Sequence, residues 1–566
     1  MTTSAEEARR ALAGHTIWLW HYLHADWQWE QSRHWHEERY ALAVHEALDI
    51  MQRNPEFCYF FDTTSEYLSA VLPRLGARME EFKDRIRSGR IRLVSGQVGN
   101  CRPTQVGEET YIRNMQLGRE FMETNLPPTD LSQFHSVDIA IGHAQMPQLL
   151  SLAGFKYYRA WRPHGPMNAL GIPHQFTWEG LDGSHVLVTR GSYGGSWSAA
   201  DPPGRYREDW DAAVAWLYQT HFRDQLVQGR SPTANLWYIQ GYDDARPFTT
   251  WSGDQPMDVL GFVDEWRKRE QVPIRWCTPL EYSQAVAAEA GKLKVVKGVL
   301  DGADCGYNMA NSGANGLWVW RQMNDRRMVR AEKWAAVAAS AGYTAPQAEL
   351  RRLWYQHCVY QSHAEDAAFA DDFEYLVNLA RDVKFHAEQI EHEAIAHIVK
   401  AAGGGTRTTR YILNPHSWPV QADVEIYHPC AAAGINSLQV LDEGGAPLPQ
   451  QQLTEFRHPR FAGSINDERR LVRIELPALG YRRVTIQESR GEVTSPAPRT
   501  APADGVVETS DLSGILKVDY RDCGEAHCDC SDENVKIEAS FPSFPFLFRQ
   551  QVDPYHESLL SVLVDR

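Results

Sequence analysis

The sequence predicts a multidomain α/β protein: an N-terminal (β/α) barrel-like domain, a central helical bundle and a C-terminal β-sandwich domain. Three observations carry this. Strand and helix signals alternate over residues 1–285, the helical period dominates 286–402, and after Gly403, Gly404 and Gly405 the period drops to two. A chain of 566 residues exceeds what one core holds, so several domains are expected.

The first part opens with TIWLWHYLH, residues 16–24, an apolar run suited to a buried strand. EERYALAVHEALDIMQRNP follows as a helix ended by Pro55. EFCYFFDTT is a second apolar strand, EYLSAVLPRL a helix, IRLVSGQ a strand, EETYIRNMQLGREFM a helix and QFHSVDIAI a strand. Short loops between repeated strand–helix units argue for a parallel sheet or barrel, whose ligands bind beyond the carboxyl ends of the strands. His24, Asp26, Asp62 and Asp138 all stand near such ends.

Between 286 and 402, LRRLWYQHCVYQSH and FEYLVNLARDVKFHAEQIEHEAIAHIVKAA repeat apolar residues at helical spacing, which places His363 toward the end of an amphipathic helix. RYILNPHSW, ADVEIYH, RRLVRIELP and YRRVTIQE then read as strands of a β domain over 406–490. SPAPRTAPADG is a Pro-rich linker, and 505–566 carries weak strand patterning, as a partial β region.

A formal net charge of −16 excludes a nucleic-acid binder, because nothing in the balance neutralises phosphates. No run of about 18 uncharged apolar residues occurs and no apolar signal segment follows the charged N-terminus, so the expectation is a cytoplasmic protein with no membrane partner. A homo-oligomer is compatible with the sequence. Nine cysteines, six of them scattered singly, suit free thiols. Cys523, Cys528 and Cys530 cluster without a second half-site and stay unassigned. Nineteen tryptophans suit either core filler or the aromatic walls of a sugar site.

The chemistry concentrates in HADWQWE, residues 24–30. His24 and Asp26 are two apart and face one side of an extended chain. Imidazole plus carboxylate suits zinc, and a structural His–Asp hydrogen bond is the plainer alternative. Asp243 and Asp244 follow the apolar run LWYIQ. Adjacent carboxylates repel, so one should hold its proton near neutral pH, as a general acid requires; a solvated loop is the alternative. His363 alone reads equally as a core or surface histidine.

Taken together these stretches resemble glycoside hydrolase family 38, the metal-dependent retaining α-mannosidases. The family's His-x-Asp-x-x-Trp is similar to His24, Asp26 and Trp29. Its nucleophile motif is Asp-x-Phe-Gly with Pro nine residues after the Asp, and Asp138 stands nine before Pro147. Its Trp and Gln-x-His are matched by Trp354, Gln361 and His363, and its acid-bearing turn by Asp243 and Asp244. FTWEGLDGSHVL resembles its hairpin and RYILNPHSW the opening of its β domain. The similarity covers roughly residues 15–485. Two departures stand out. DIAIGH replaces Asp-x-Phe-Gly, with Gly142 one place late, so that anchoring on the glycine would put Ile139 at the nucleophile position. Ala364 stands where the family has Asp, followed by Glu365 and Asp366.

The resemblance implies one divalent ion, zinc, held by His24, Asp26, Asp138 and His363 and gripping two sugar hydroxyls. It implies that Asp138 is the nucleophile and Asp244 the acid and base, with Asp243 helping to hold the proton. Trp29 would wall the sugar, and Arg162 would hydrogen-bond the nucleophile or the substrate. The expected activity is hydrolysis of an α-mannoside or related oligosaccharide. Two rivals are a metal-dependent carbohydrate deacetylase, which also sets His and Asp at strand ends, and a catalytically impaired sugar-binding relative.

Overall fold

The computed structural model describes residues 3–489 except 30, 63, 192–193, 196, 251–253, 301–311, 369, 430–436 and 453–466, and beyond them the strand segments 506–509, 515–519 and 536–540. The Pro-rich linker and Cys523, Cys528 and Cys530 lie outside the described residues. The chain forms two compact units, Met1–Ile398 and Val399–Arg566.

In the first unit β1 (Thr16–Leu23), β2 (Tyr59–Phe61), β3 (Ile91–Arg92), β4 (Gln133–Ala140), β5 (Tyr157–Arg162), β6 (Gln175–Glu179), β7 (His185–Arg190), β8 (Asn235–Gln240), β9 (Ile274–Trp276) and β10 (Lys294–Lys297) make two five-stranded sheets. One runs β3-β2-β1-β8 with β9 also paired to β1, all parallel. The other runs β10-β6-β7-β5-β4 and is parallel except for the β6–β7 hairpin. The sheets meet where the Ser95 N–H donates to the Gln133 carbonyl at 3.0 Å. The strands expected to form a barrel are thus hydrogen-bonded as two sheets, the second of which contains one antiparallel pair, β6–β7.

The period of two decides what β1 buries. Ile17, Leu19 and Leu23 join a core with the flanking helices. Trp20 and Tyr22 face the other way and pack with Phe60, Val137, Trp237 and Ile239, a cluster drawn from both sheets. Each fully buried aliphatic side chain contributes about 1.5–3 kcal/mol of transfer free energy. His24 continues the inward set and so enters the space between the sheets.

The helices begin where the sequence caps them. The Ser32 side chain accepts from the Trp35 N–H to open Arg33–Arg53, and Thr64 accepts from Tyr67 to open Ser65–Arg74. Helix Glu108–Asn125 packs so closely on the 97–100 segment that a Cβ on Gly118 would lie 2.2 Å from the Gln97 carbonyl carbon.

Residues 286–402 are not wholly helical. KVVK forms the edge strand β10 against β6, and the helices Ser312–Ala339, Gln347–Val359 and Ala370–Ala401 follow. His363 lies beyond Val359, not within the helix. Arg321 donates to the Tyr360 and Ser362 carbonyls, which satisfies the exposed helix end and lets the chain turn there.

In the second unit β11 (Thr409–Leu413), β12 (Val420–Pro429), β13 (Ser437–Leu441), β14 (Gln450–Gln452), β15 (Asp467–Leu476) and β16 (Tyr481–Ser489) form two antiparallel sheets, β11-β16-β13 and β12-β15-β14. One apolar cluster draws Ile412, Val440 and Val484 from the first and Ile426, Val472 and Ile474 from the second, the packing of a β-sandwich.

Candidate active site

β1 and β8 run side by side and release the chain together. The His24 N–H donates to the Tyr242 carbonyl at 3.2 Å, and the Asp244 N–H donates to the His24 carbonyl at 2.9 Å. Asp243 pairs with His24 across this bridge. Gly241 makes the approach possible. Its φ is +117°, and a Cβ there would sit 2.0 Å from the Tyr22 carbonyl oxygen.

Four predicted residues converge in this opening. His24 Nε2 is 3.1 Å from Asp26 Oδ1 and 3.9 Å from Asp138 Oδ2. His363 Nε2 is 3.3 Å from Asp138 Oδ2 and 3.5 Å from Asp26 Oδ1. One ligand atom from each of the four lies within 4.8 Å of all the others. Asp138 reaches the group through an irregularity in β4: Ser136 pairs with Ala160 but Ala140 pairs with Arg162, so 136–140 oppose only 160–162. The extra residues turn the Asp138 carboxylate toward His363, while Ile139 is buried. Asp138 Oδ1 accepts from Arg162 Nε at 2.8 Å, with Arg162 Nη2 at 2.7 Å.

Both imidazoles are oriented from behind. His24 Nδ1 lies 2.5 Å from Asp62 Oδ2, and His363 Nδ1 lies 3.1 Å from the Asn100 carbonyl. Each Nδ1 therefore carries a proton and each Nε2 faces the group. Burial alone would lower the His24 imidazole, but Asp26 and Asp62 outweigh it and push it well above the ordinary histidine value. Burial would raise Asp26 and Asp138, but His24 and His363 outweigh it and hold both carboxyls down.

The donor set fits a divalent cation. His363 Nε2 and Asp26 Oδ1 are buried and make no hydrogen bond to any described residue. Two neutral imidazoles and two carboxylates suit zinc, and the carboxylates that draw a proton to His24 would draw a cation equally.

Asp244 lies beside this group with a backbone φ of +50°. Its Oδ1 accepts from the Tyr40 hydroxyl at 2.6 Å, and His36 Nε2 is 3.5 Å from Oδ2. Burial, then Asp244, push the Tyr40 phenol far up, so it acts as a donor. Of the two tryptophans in HADWQWE, Trp27 belongs to the core against Tyr40. Trp29 is half-buried and its N–H closes the turn onto the Asp26 carbonyl at 3.0 Å.

Sequence reasoning missed several residues here. Asp62 was read only as a strand-end carboxylate, and Tyr40 as one apolar position of a helix. Glu365, two after His363, is buried beside Glu66. Burial pushes Glu365 well up and Glu66 up to about 7.

Imidazoles and carboxylates converge here beyond the carboxyl ends of strands, where α/β folds bind their ligands, in a group that could hold a divalent cation, with a further pair of aspartates alongside. The family model for the glycosyl hydrolases family 38 N-terminal domain matches residues 14–302, just over half of the chain. The chain belongs to glycosyl hydrolases family 38. It is 23% identical to mouse alpha-mannosidase 2C1 over 497 residues, covering 82% of this chain and 44% of that protein. It is 28% identical to human alpha-mannosidase 2C1 over 176 residues, covering 31% of this chain and 16% of that protein. The chain spans about half the length of the curated relatives it matches. Among solved structures, an alpha-mannosidase from Enterococcus faecalis V583 shares the fold with a TM-score of 0.63 and 15% identity, covering 94% of this chain and 61% of that one. A second family 38 protein from Enterococcus faecalis gives a TM-score of 0.58 and 14% identity, covering 94% and 59%. Among the described residues, no helix is long and apolar enough to cross a membrane.

Proposed function

We propose that this chain is a retaining glycoside hydrolase that cleaves α-mannosidic bonds with one divalent ion, zinc, held by His24, Asp26, Asp138 and His363. The observation that carries this reading is the double engagement of Asp138. One oxygen faces the two imidazoles and the other is held by Arg162. A guanidinium on the second oxygen suits a nucleophile as well as a ligand, because an attacking carboxylate must stay ionised and must later depart.

When bound, the ion supplies Lewis-acid attraction for sugar hydroxyls and favours a distorted ring. The residues of the chain do the rest. Asp138 Oδ1 attacks the anomeric carbon as the glycosidic C–O bond breaks, and a glycosyl ester forms on Asp138. Asp244 gives its proton to the departing oxygen. It then takes a proton from the water that attacks the anomeric carbon and releases Asp138. Tyr40 donates to Oδ1 of Asp244 and leaves Oδ2 for the travelling proton. Asp243, adjacent in the chain, sets a second carboxylate at the same turn, paired with His24. Trp29 offers its half-buried ring as a wall for the sugar, and Arg162 holds the nucleophile in line.

Two displacements at one carbon preserve its configuration. Proton NMR during hydrolysis of an α-mannoside tests this: the first product is α-mannose, which then mutarotates. Initial β-mannose would reject Asp138 as nucleophile.

A further inference from the structure

Outside the site, His164, His174 and Asp224 also bring ligand atoms within 4.8 Å of one another. This cluster is a poor cation site. Arg230 already binds Asp224, and Arg190 Nη1 lies 3.3 Å from His164 Nδ1. Arginine can only donate, which disposes His164 Nδ1 to accept, while its Nε2 lies 3.2 Å from Asp224 and 3.1 Å from the Asn168 amide nitrogen. Two guanidiniums, one on Asp224 and one beside His164, already supply the positive charge there and disfavour a cation.

The opposite arrangement occurs behind His24. Asp62 follows β2 and is set beside β1 by the pairing of Phe61 with Leu23. Its N–H donates to the Leu23 carbonyl at 3.3 Å, and its Oδ2 accepts from the Ala25 N–H at 3.3 Å. The Tyr22 hydroxyl donates to Oδ1 at 2.8 Å. His135 Nε2 is 3.7 Å from Oδ1, its ring packed between Tyr22 and Phe60. The carboxylate is thus fixed on every side, 5% exposed, and its remaining strong contact is the 2.5 Å bond to His24 Nδ1. His363 Nδ1, by contrast, meets the neutral Asn100 carbonyl at 3.1 Å.

We infer that Asp62 is a positioning residue that makes His24 the stronger of the two imidazole ligands, so that cation affinity depends on a carboxylate that never touches the cation. The inference rests on the ligand set proposed above. A charged acceptor on Nδ1 fixes the tautomer and increases electron density at Nε2, whereas a peptide carbonyl fixes the tautomer alone.

The test is zinc affinity of the full chain, measured by competition with a chromophoric chelator. Asp62→Asn preserves shape and removes the charge; it should bind zinc about 10–100-fold more weakly. Tyr22→Phe removes a hydroxyl that meets both Asp62 Oδ1 and His24 Nδ1 but keeps the charge, and should weaken zinc binding less than Asp62→Asn. Unchanged affinity in a folded Asp62→Asn variant overturns the role of Asp62 and leaves the ligand set standing. No zinc bound by wild type overturns the ligand set and the inference with it. If Asp62→Asn does not fold, proton NMR of zinc-loaded wild type labelled with [15N]histidine decides. Two Nδ1 protons of unequal position, one far downfield on His24, support the inference; matching positions reject it.

Discussion

Nε2 of His363 lies 3.3 Å from Oδ2 of Asp138, which joins the turn after helix Gln347–Val359 to the irregular stretch of β4. Neither residue reaches the other through any regular element. The contact exists because Arg321 ends the helix's hydrogen bonding and β4 departs from simple pairing. Both irregularities aim side chains at one point, and the first prediction concerns that point.

Asp138→Asn should lower turnover of an aryl α-mannoside by about a thousandfold or more, since an amide is no nucleophile. The shape is conserved and Arg162 still has an oxygen to bind, so the melting temperature of the cation-free protein should change little. Retained turnover in this variant would move the nucleophile elsewhere.

Asp244→Asn should separate substrates by leaving group. Substrates with poor leaving groups need the proton and should lose most of their rate, whereas dinitrophenyl α-mannoside should lose much less in the first step. Tyr40→Phe removes the 2.6 Å hydrogen bond to Asp244 and should cost about tenfold in kcat, from roughly 1–1.5 kcal/mol. Steady-state kinetics across a leaving-group series checks both variants, and equal losses on all substrates would deny Asp244 the acid role.

The buried Glu66–Glu365 pair should make stability depend on pH. Burial raises Glu66 from an ordinary value of 4.5 to about 7, against the pull of Arg33. A raised carboxyl means that the folded chain holds a proton more tightly than the unfolded one. Its contribution is therefore complete below about 4.5, declines as pH rises, and is gone past about 7, a change on the order of 3 kcal/mol. Glu66→Gln should flatten the fall in melting temperature between about pH 5 and pH 8. An equally steep fall in the variant would place the linkage on other groups.

Much of the site was legible because strand ends obey simple rules. His24 and Asp26 were found from a period of two, and Asp243 and Asp244 from an apolar run followed by two charges. His363 was found, but its placement within a helix was not right: helical periodicity continues through Tyr360 in the sequence, while Arg321, from a distant helix, ends it in space. KVVK was missed as a strand because four residues carry too little periodicity, and its partner β6 lies far back in the chain. Asp62, Tyr40 and Asn100 touch candidate-site residues through contacts that no local pattern encodes. The antiparallel pairing of β6 with β7 was equally hidden, since that hairpin reads locally like any other pair of strands.

The most direct measurement is hydrolysis of an aryl α-mannoside by the purified chain before chelation, after chelation and after zinc is returned. The account predicts activity that is lost to the chelator and regained with zinc. Hydrolysis that persists in chelated, zinc-free protein would contradict it, as would zinc-loaded, folded protein that never cleaves the substrate.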